Sequence, residues 1–238
     1  GRSAWGNVFV ATDQETSRTC RIEVILRSGA RGAGLDRRLG REVQIGRELA
    51  GQAGLVTALA WGGLGTERVF VIREGDAPKP VDLFAGDLRA QVERLLLVAR
   101  RVEVLAAMGM AHRDLGPASV IEVDGDIGLR SFGRAYREGL REPPPDWGGY
   151  HLSHLPSAAP EVIQALDLGG LQADVYSLGA MLHRILCGTW PAPEGLGDVV
   201  RWLLSGDCEA LAEPLADAPA GLDSIRREAL SLDPDERQ

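Results

Sequence analysis

The residues best suited to chemistry lie in one short stretch, AHRDLGPASVIEVDGDIGLRSFGRA, which covers residues 111–135. It contains a histidine, an arginine and an aspartate in succession, His112, Arg113 and Asp114. A carboxylate in this position can accept a proton from an attacking hydroxyl, which is typical of phosphotransfer. Asp124 and Asp126 flank a glycine, and this setting favours hairpin-turn chemistry over metal binding. A phosphotransfer function therefore depends on whether the chain also supplies phosphate and metal ligands.

The composition indicates a folded globular protein with an acidic surface. Of 238 residues, 45% are hydrophobic and 25% are charged, which is ordinary for globular domains. The length exceeds that of a usual single domain, so one large core or two lobes are expected. The formal net charge of -8 opposes binding to phosphate backbones, and no nucleic-acid partner is expected.

Cysteine usage and hydropathy bear on the compartment. Cys20, Cys187 and Cys208 are too few and too scattered for a disulfide framework or a zinc site, so reduced thiols in a cytoplasmic protein are expected. Charges interrupt every apolar run and no signal peptide is seen, so this segment is expected to make no membrane contact. The abrupt start at Gly1 suggests an excised domain. The question of a membrane anchor outside this segment is left open.

The N-terminal third is predicted to be mostly sheet with one helix. GNVFVATD and TCRIEVIL, separated by DQETSR, favour one hairpin, and LVTALAWGG and RVFVIREG, joined by LGTE, favour a second. Between them, a Gly- and Arg-rich run becomes helical, with an apolar stripe formed by Leu39, Val43, Ile45 and Leu49.

From Pro80 onward the pattern is mainly helical. Apolar residues recur every three or four positions between Leu88 and Leu105, which predicts a long amphipathic helix. YREGLREPPPDWGGYHLSHLPSAAPE predicts a long surface loop without regular structure. QADVYSLGAMLHRILCG predicts a core helix with Gly188 as its C-terminal cap and an apolar face formed by Val175, Leu178, Met181, Leu182 and Ile185.

The order of these elements and motifs resembles the bacterial serine/threonine protein kinase family over essentially the whole chain. The resemblance implies an α+β, bilobal fold with an N-lobe at residues 1–75, a hinge at 76–80 and a C-lobe at 81–238. The matching residues follow the family's order: Gly1, Gly6 and Val8, Glu42, His112-Arg113-Asp114, Phe132-Gly133, Ala159-Pro160-Glu161, Asp174 to Gly179, and Arg237.

The phosphate-binding lysine that this family carries on its third strand is replaced. Alignment of SRTCRIEVIL places Glu23 at that position, so an attraction for triphosphate becomes a repulsion of about 4 kcal/mol per charge pair near 4 Å. Arg21 lies on the same strand face, where it either fills the base pocket or forms a salt bridge, or else contacts phosphates. Glu42, the lysine's usual partner, would then meet a like charge. We expect that Arg21 bridges Glu23 and Glu42 or that the helix swings outward; alternatively, Glu42 is a solvated helix residue.

The glycine loop and the metal site are also altered. GRSAWGNV keeps Gly1, Gly6 and Val8 but has Ser3 where the family's middle glycine lets the backbone approach phosphate. RSFG has Ser131 in place of the family's metal-binding aspartate, and a serine hydroxyl is a weaker magnesium ligand than a carboxylate.

The segment that matches the family's catalytic loop keeps the His-Arg-Asp triplet but lacks the family's lysine and metal-binding asparagine. HRDLGPASV has Gly116 where the family has a lysine, and Ser119 where it has the metal-binding asparagine. A structural role for His112 and Arg113 is therefore expected. Asp114 either hydrogen-bonds the loop or retains general-base capability.

The residues that the resemblance assigns to the architecture are retained. It implies an ion pair between Glu161 and Arg237, and a contact from Asp174 to the His-Arg-Asp backbone. Phe132 and Gly133 are likewise expected to be structural.

The family's substrate-loop threonine and tyrosine match His154 and Ser157, so peptide positioning by that threonine is lost. Ser153, Ser157 and Tyr150 are candidates for phosphorylation by another kinase, although unmodified serines are the simpler expectation.

Fold-holding residues are thus present, whereas phosphate-handling residues are replaced. The sequence predicts a pseudokinase that acts as a regulatory or scaffolding module and binds another protein or an adjacent domain of its own chain. No cofactor is expected, apart from ATP bound weakly and without a metal ion. The alternatives are an atypical transferase that uses Asp114 with Arg21 or Arg130, and a metal-independent nucleotide sensor.

Overall fold

A computed structural model describes residues 2–3, 6–15, 17–27, 34–75, 79–139, 155–164 and 169–237. Gly1, Tyr150, Ser153 and His154 lie outside these ranges, and so do residues 76–78 of the predicted hinge. The described residues form two compact units. The first takes those up to Pro80 together with Ile121–Ala135, and the second takes Val81–Val120, residues 136–139 and those from 155 onward.

The elements follow in chain order. The strands are β1 (Arg2–Ser3), β2 (Gly6–Thr12), β3 (Thr19–Leu26), β4 (Leu55–Val56), β5 (Ala58–Leu64), β6 (Arg68–Glu74), β7 (Lys79–Pro80), β8 (Met110–Ala111), β9 (Val120–Val123), β10 (Asp126–Arg130) and β11 (Tyr136–Arg137). The helices are α1 (Leu35–Glu48), α2 (Leu88–Ala107), α3 (Pro160–Gln164), α4 (Gln172–Cys187), α5 (Leu196–Ser205) and α6 (Ala220–Ala229).

The first unit contains a five-stranded antiparallel sheet in the order β1-β2-β3-β6-β5. Both predicted hairpins, β2–β3 and β5–β6, are confirmed. Helix α1 packs on this sheet through Leu35, Leu39 and Val43, which meet Val69 and Val71 of β6. The buried stripe of α1 therefore matches the predicted one.

A second sheet of the first unit has the order β4-β10-β9-β7. Asp124 and Gly125 connect β9 to β10 with φ angles of 52° and 81°. Two successive positive φ angles are typical of a type I′ hairpin turn. The turn assignment for the Asp-Gly-Asp sequence is therefore confirmed.

The second unit is mainly helical. Helix α4 contacts both α2 and α6, and Tyr176 and Ala180 of α4 share a core with Leu211 and Leu230. The approach of α4 to α6 is close, because a Cβ on Gly179 would lie 2.7 Å from the Cβ of Ala229. Gly188 ends α4 with a φ of 72°, as predicted.

The loop expected between residues 136 and 161 is more ordered at its edges than the sequence suggested. Strand β11 pairs with β8, a 3₁₀ turn covers Leu155–Ser157, and α3 already begins at Pro160. Proline at the first helical position is compatible with a helix because its missing N–H would have no intrahelical partner there.

A sheet-rich unit and a helical unit confirm the α+β class. Among the residues that the structure describes, no helix combines the length and the apolar character that a membrane span requires.

Candidate functional site

The candidate site of the first unit is built on the face of β3 that carries Arg21 and Glu23. Residues two apart on a strand point to the same side, and the antiparallel register with β6 sets Arg21 opposite Arg73 and Glu23 opposite Val71. Two arginines directly opposite each other repel. The sheet therefore needs carboxylates on this face.

Glu23 supplies the first carboxylate. The Nε of Arg21 donates to the Oε1 of Glu23 at 2.8 Å, and the Nε of Arg73 lies 3.7 Å from the same oxygen. Arg21 is only 2% exposed. This buried side chain is held by Glu23, as the salt-bridge interpretation of Arg21 expected.

Glu42 of α1 supplies the second carboxylate. Arg73 donates to both of its oxygens, with an Nη2–Oε2 distance of 3.0 Å. Glu42 is 4% exposed, so the interpretation as a solvated helix residue is wrong. A bridge between Glu23 and Glu42 exists, and Arg73 makes it. The sequence predicts Arg21 for that role, and the ion pair seen for Arg21 is the one with Glu23.

Arg73 is the residue that sequence reasoning missed. The available signal was a charge at the end of the apolar run VFVIR, in register with Val69 and Val71, which are fully buried. A basic side chain on the buried face of a strand requires a partner. The sequence does not say which carboxylate that partner is.

The charged residues around Glu23 shift one another's pKa values. Burial alone would lower the pKa of Arg73, but the carboxylates of Glu42 and Glu23 raise it above its usual value. Arg130 of β10 belongs to the same field: burial lowers its pKa, Glu23 partly restores it, and Arg73 and Arg21 lower it further. We name these five residues, Arg21, Glu23, Glu42, Arg73 and Arg130, the β3–α1 ion cluster.

The segment that follows β10 packs on the same helix. Phe132 is fully buried, and a Cβ on Gly133 would lie 3.1 Å from the carbonyl oxygen of Arg38 in α1. The Nε of Arg41 donates to the carbonyl of Ala135 at 3.0 Å. Ser131 precedes this segment in a left-handed conformation with a φ of 74°.

Within the predicted glycine loop, the structure describes residues 2–3 and 6–8. Ser3 of β1 pairs with Gly6 of β2, and Val8 lies opposite Glu23 of β3. The carboxylate that replaces the lysine is thus carried by the strand paired to this loop.

The His-Arg-Asp triplet belongs to the second unit. The backbone N–H groups of His112 and Arg113 donate to the two carboxylate oxygens of Asp174 at 2.6 and 2.9 Å. Burial raises the pKa of Asp174, and the electrostatic influence of His112 and these backbone hydrogen bonds offset only part of that increase. Arg113 also donates to the carbonyl of Gly169 and stacks over Tyr136 at 4.5 Å. These contacts give His112 and Arg113 a structural role.

Asp114 is half-buried. Its own N–H donates to the Nδ1 of His112 at 3.2 Å. Its carboxylate forms no hydrogen bond among the residues that the structure describes, so it remains available to a hydroxyl.

Ser119 is committed to the backbone of its own turn. Its hydroxyl donates to the carbonyl of Gly116 at 2.8 Å and accepts from the N–H of Gly116 at 3.1 Å, and the side chain is 1% exposed. A hydroxyl used in this way is a poor ligand for a metal ion.

Two further contacts close the second unit. Arg237 donates to both carboxylate oxygens of Glu161 at 2.6 and 3.1 Å, and its guanidinium lies 5.0 Å from the ring centre of Tyr176. Ser157 is 1% exposed and donates to the carbonyl of Leu115 at 3.0 Å. Of the candidate phosphorylation sites, Ser157 is therefore inaccessible in this fold.

The residues present do not match what a magnesium–nucleotide complex needs. Magnesium prefers carboxylate oxygens, whereas the two aligned ligand positions hold Ser119 and Ser131. Within the described ranges, no three His, Cys, Asp or Glu side chains converge as metal ligands do. Two nearby cations, Arg21 and Arg73, already face carboxylates.

The strand carrying Glu23, the helix carrying Glu42 and the Asp174-anchored triplet together define a protein-kinase-like domain. No protein-family profile matches the chain. It is 30% identical over 209 residues to CBL-interacting protein kinase 16 of Oryza sativa, covering 80% of this chain and 42% of that protein. It is 32% identical over 150 residues to serine/threonine-protein kinase PknJ of Mycobacterium tuberculosis, covering 58% of this chain and 24% of the relative.

A third relative, maternal embryonic leucine zipper kinase of Xenopus tropicalis, is 28% identical over 146 residues, which is 54% of this chain and 22% of that kinase. These similarities support a place for the chain in the protein kinase superfamily. The chain spans less than half the length of these curated relatives.

Proposed function

We propose that this chain is a pseudokinase domain: a regulatory or scaffolding module that binds another protein or an adjacent domain, with weak or no ATP binding and no efficient phosphotransfer. One observation carries the proposal. At the strand position that the family reserves for a cation, the chain has Glu23, and this carboxylate is held by Arg21 and Arg73.

The energetics oppose a phosphate at this position. The charge of Glu23 taken by itself would repel a triphosphate oxygen about 4 Å away by about 4 kcal/mol at an effective dielectric of 20. The arginines that offset this charge already face carboxylates. Arg73 cannot turn to the phosphate at low cost, because the buried Glu42 would lose the guanidinium that donates to both of its oxygens. Removing one partner of a buried ion pair costs about 3–5 kcal/mol. Neither arginine therefore replaces the missing lysine.

A weakly active transferase is the second candidate. It is favoured by the carboxylate of Asp114, which has no hydrogen-bond partner among the residues that the structure describes. In that case Asp114 would accept the proton of the acceptor hydroxyl. Arg21 is a poor phosphate clamp for such an enzyme because it is buried against Glu23, so that role would fall to Arg130. A cytoplasmic setting belongs to the main proposal and is supported by the three free cysteines.

Thermal-shift titration with ATP tests the proposal. A ligand at 100 times its Kd adds about 2.7 kcal/mol of stability, and at about 2–4 °C per kcal/mol this raises Tm by roughly 5–10 °C for a chain of this size. We expect less than about 1 °C at millimolar ATP, both with magnesium and with a chelator. A shift above about 5 °C that requires magnesium contradicts the proposal. An equal shift with the chelator identifies a metal-independent nucleotide sensor.

A phosphotransfer assay distinguishes a weakly active transferase from a pseudokinase. The chain is incubated with labelled ATP and casein, next to Asp114→Asn as matched control. We expect the two proteins to incorporate label equally and at background. Incorporation by the unmodified chain that the Asn variant abolishes would establish the transferase.

A further inference from the structure

A groove of about 550 Å³ lies in the second unit. Its walls come from the 3₁₀ segment Asp207–Ala212, from the C-terminal end of α6 and from the loop that follows α6. The floor is apolar: Leu211 and Leu230 are buried core residues, and Leu232, at 40% exposure, presents an apolar side chain to solvent.

The rim of the groove is acidic. Glu209, Glu228, Asp233 and Glu236 line it and are all exposed. Two of these carboxylates accept only neutral serine hydroxyls: Glu228 from Ser224 and Glu236 from Ser231. In the part of the chain that the structure describes, none of the four forms an ion pair.

The one cation among the lining residues does not neutralise this rim. The guanidinium of Arg227 lies 3.3 Å from the carboxylate of Asp223. The carbonyl end of α6 adds a partial negative charge to the same wall. The groove thus combines an apolar floor with a strongly negative edge.

We propose that this groove docks a cationic segment of a partner protein, with one apolar side chain on the floor and flanking arginines or lysines against the rim. Charge complementarity selects this occupant, because an acidic rim attracts basic segments and raises their association rate. The same rim repels phosphate backbones and anionic lipid surfaces. The proposal does not depend on nucleotide chemistry.

The probe is a fluorescein-labelled peptide with four arginines around a central leucine, and fluorescence anisotropy reports binding to the full chain without nucleotide. Two control peptides replace the arginines by glutamates or the leucine by glycine. We expect micromolar binding of the arginine–leucine peptide, weaker binding of the glycine peptide and none of the glutamate peptide. Salt at 0.5 M should weaken the binding because it screens exposed charges.

The double variant Glu209→Gln/Glu228→Gln removes two rim charges from exposed positions without changing side-chain size. It should lower the affinity for the arginine–leucine peptide about three- to tenfold. Glu67→Gln/Glu103→Gln is the matched control: it removes the same net charge at exposed positions outside the groove and should stay within about twofold. Leu232→Ala should also lower the affinity for this peptide, because it removes apolar contact area from the floor of the groove.

Equal weakening by the two double variants would overturn the proposal, since it would mean attraction to the overall negative charge. Binding of the glutamate peptide, or no binding of the arginine–leucine peptide, would overturn it as well. These outcomes are independent of ATP. A failed docking proposal therefore leaves the pseudokinase proposal standing, and the reverse also holds.

Discussion

Replacing Arg73 by methionine tests whether α1 is held by an ion pair that the sheet supplies. Methionine keeps much of the side-chain volume but removes both hydrogen bonds to Glu42 and the contact to Glu23. Glu42 would remain on the buried face of α1 without the guanidinium that donates to both of its carboxylate oxygens.

The size of the effect follows from burial. The side chains of Arg73 and Glu42 are 11% and 5% exposed, so solvent screens the pair little. Removing one partner of a buried pair typically costs about 3–5 kcal/mol. Domains of this kind are stable by only about 5–15 kcal/mol. The variant should therefore lose a large share of its stability, and α1 should loosen first.

Urea unfolding measures the total loss, and hydrogen exchange of peptides from residues 35–48 measures the local one. Trp61 is a convenient fluorescent reporter because it packs against the α1–sheet core. Arg89→Met is the matched control. It removes the same kind of side chain from an exposed pair with Glu93, where the expected cost is below about 0.5 kcal/mol.

A double-mutant cycle sharpens the test. If the charge left on Glu42 causes the loss, Glu42→Gln in the Arg73→Met background should recover at least about 2 kcal/mol relative to additivity. A cost for Arg73→Met below about 1 kcal/mol, with unchanged exchange in α1, would falsify the ion-pair explanation of how α1 is held.

The remaining predictions concern packing, pH and the triplet. Gly46→Ala should cost about 1–3 kcal/mol in urea unfolding, because the new Cβ would lie 2.7 Å from the carbonyl oxygen of Ala58. Gly40→Ala on the same helix meets nothing closer than 3.5 Å and should stabilise by up to about 1 kcal/mol; equal signs for the two variants would contradict this. Burial, and secondarily a nearby arginine, lowers the pKa of His183 to about 4. Since the unfolded chain binds this proton near pH 6.5, stability should fall as the pH drops from about 6.5 towards 4, and His183→Gln should flatten that part of the pH–stability curve. Asp174→Ala leaves two backbone N–H groups without their acceptor and should cost about 2–5 kcal/mol, which calorimetry would register as a Tm lowered by roughly 5–15 °C.

Most elements of the fold could be predicted from the sequence, because they follow from local patterns. The apolar spacing around Leu39 and Val43 predicted α1, and Asp124 with Gly125 predicted the β9–β10 turn. Helix α4 is more instructive. Of the residues that the pattern places on its buried face, Met181 and Leu182 are buried, but Val175, Leu178 and Ile185 are only partly buried. Ala173, Tyr176 and Ala180, which the pattern does not place there, are buried as well.

The reason is that α4 is covered by both α2 and α6. A hydrophobic pattern identifies a helix with one apolar side, but a helix covered on several sides also buries small and polar residues. The neighbours that decide this are far away in the chain, so no local pattern reveals them.

The sequence by itself shows which residues stand at the positions that the kinase resemblance assigns to phosphate and metal binding. Glu23 in place of a lysine, and Ser119 and Ser131 in place of metal ligands, are substitutions that need no coordinates to recognise. Only the tertiary structure decided where the remaining charges go. Arg73 lies 31 residues from Glu42, and the two meet because the β3–β6 register and the packing of α1 bring them together. Buried ions pair with whatever counter-charge the fold places beside them, and sequence separation carries no record of that choice.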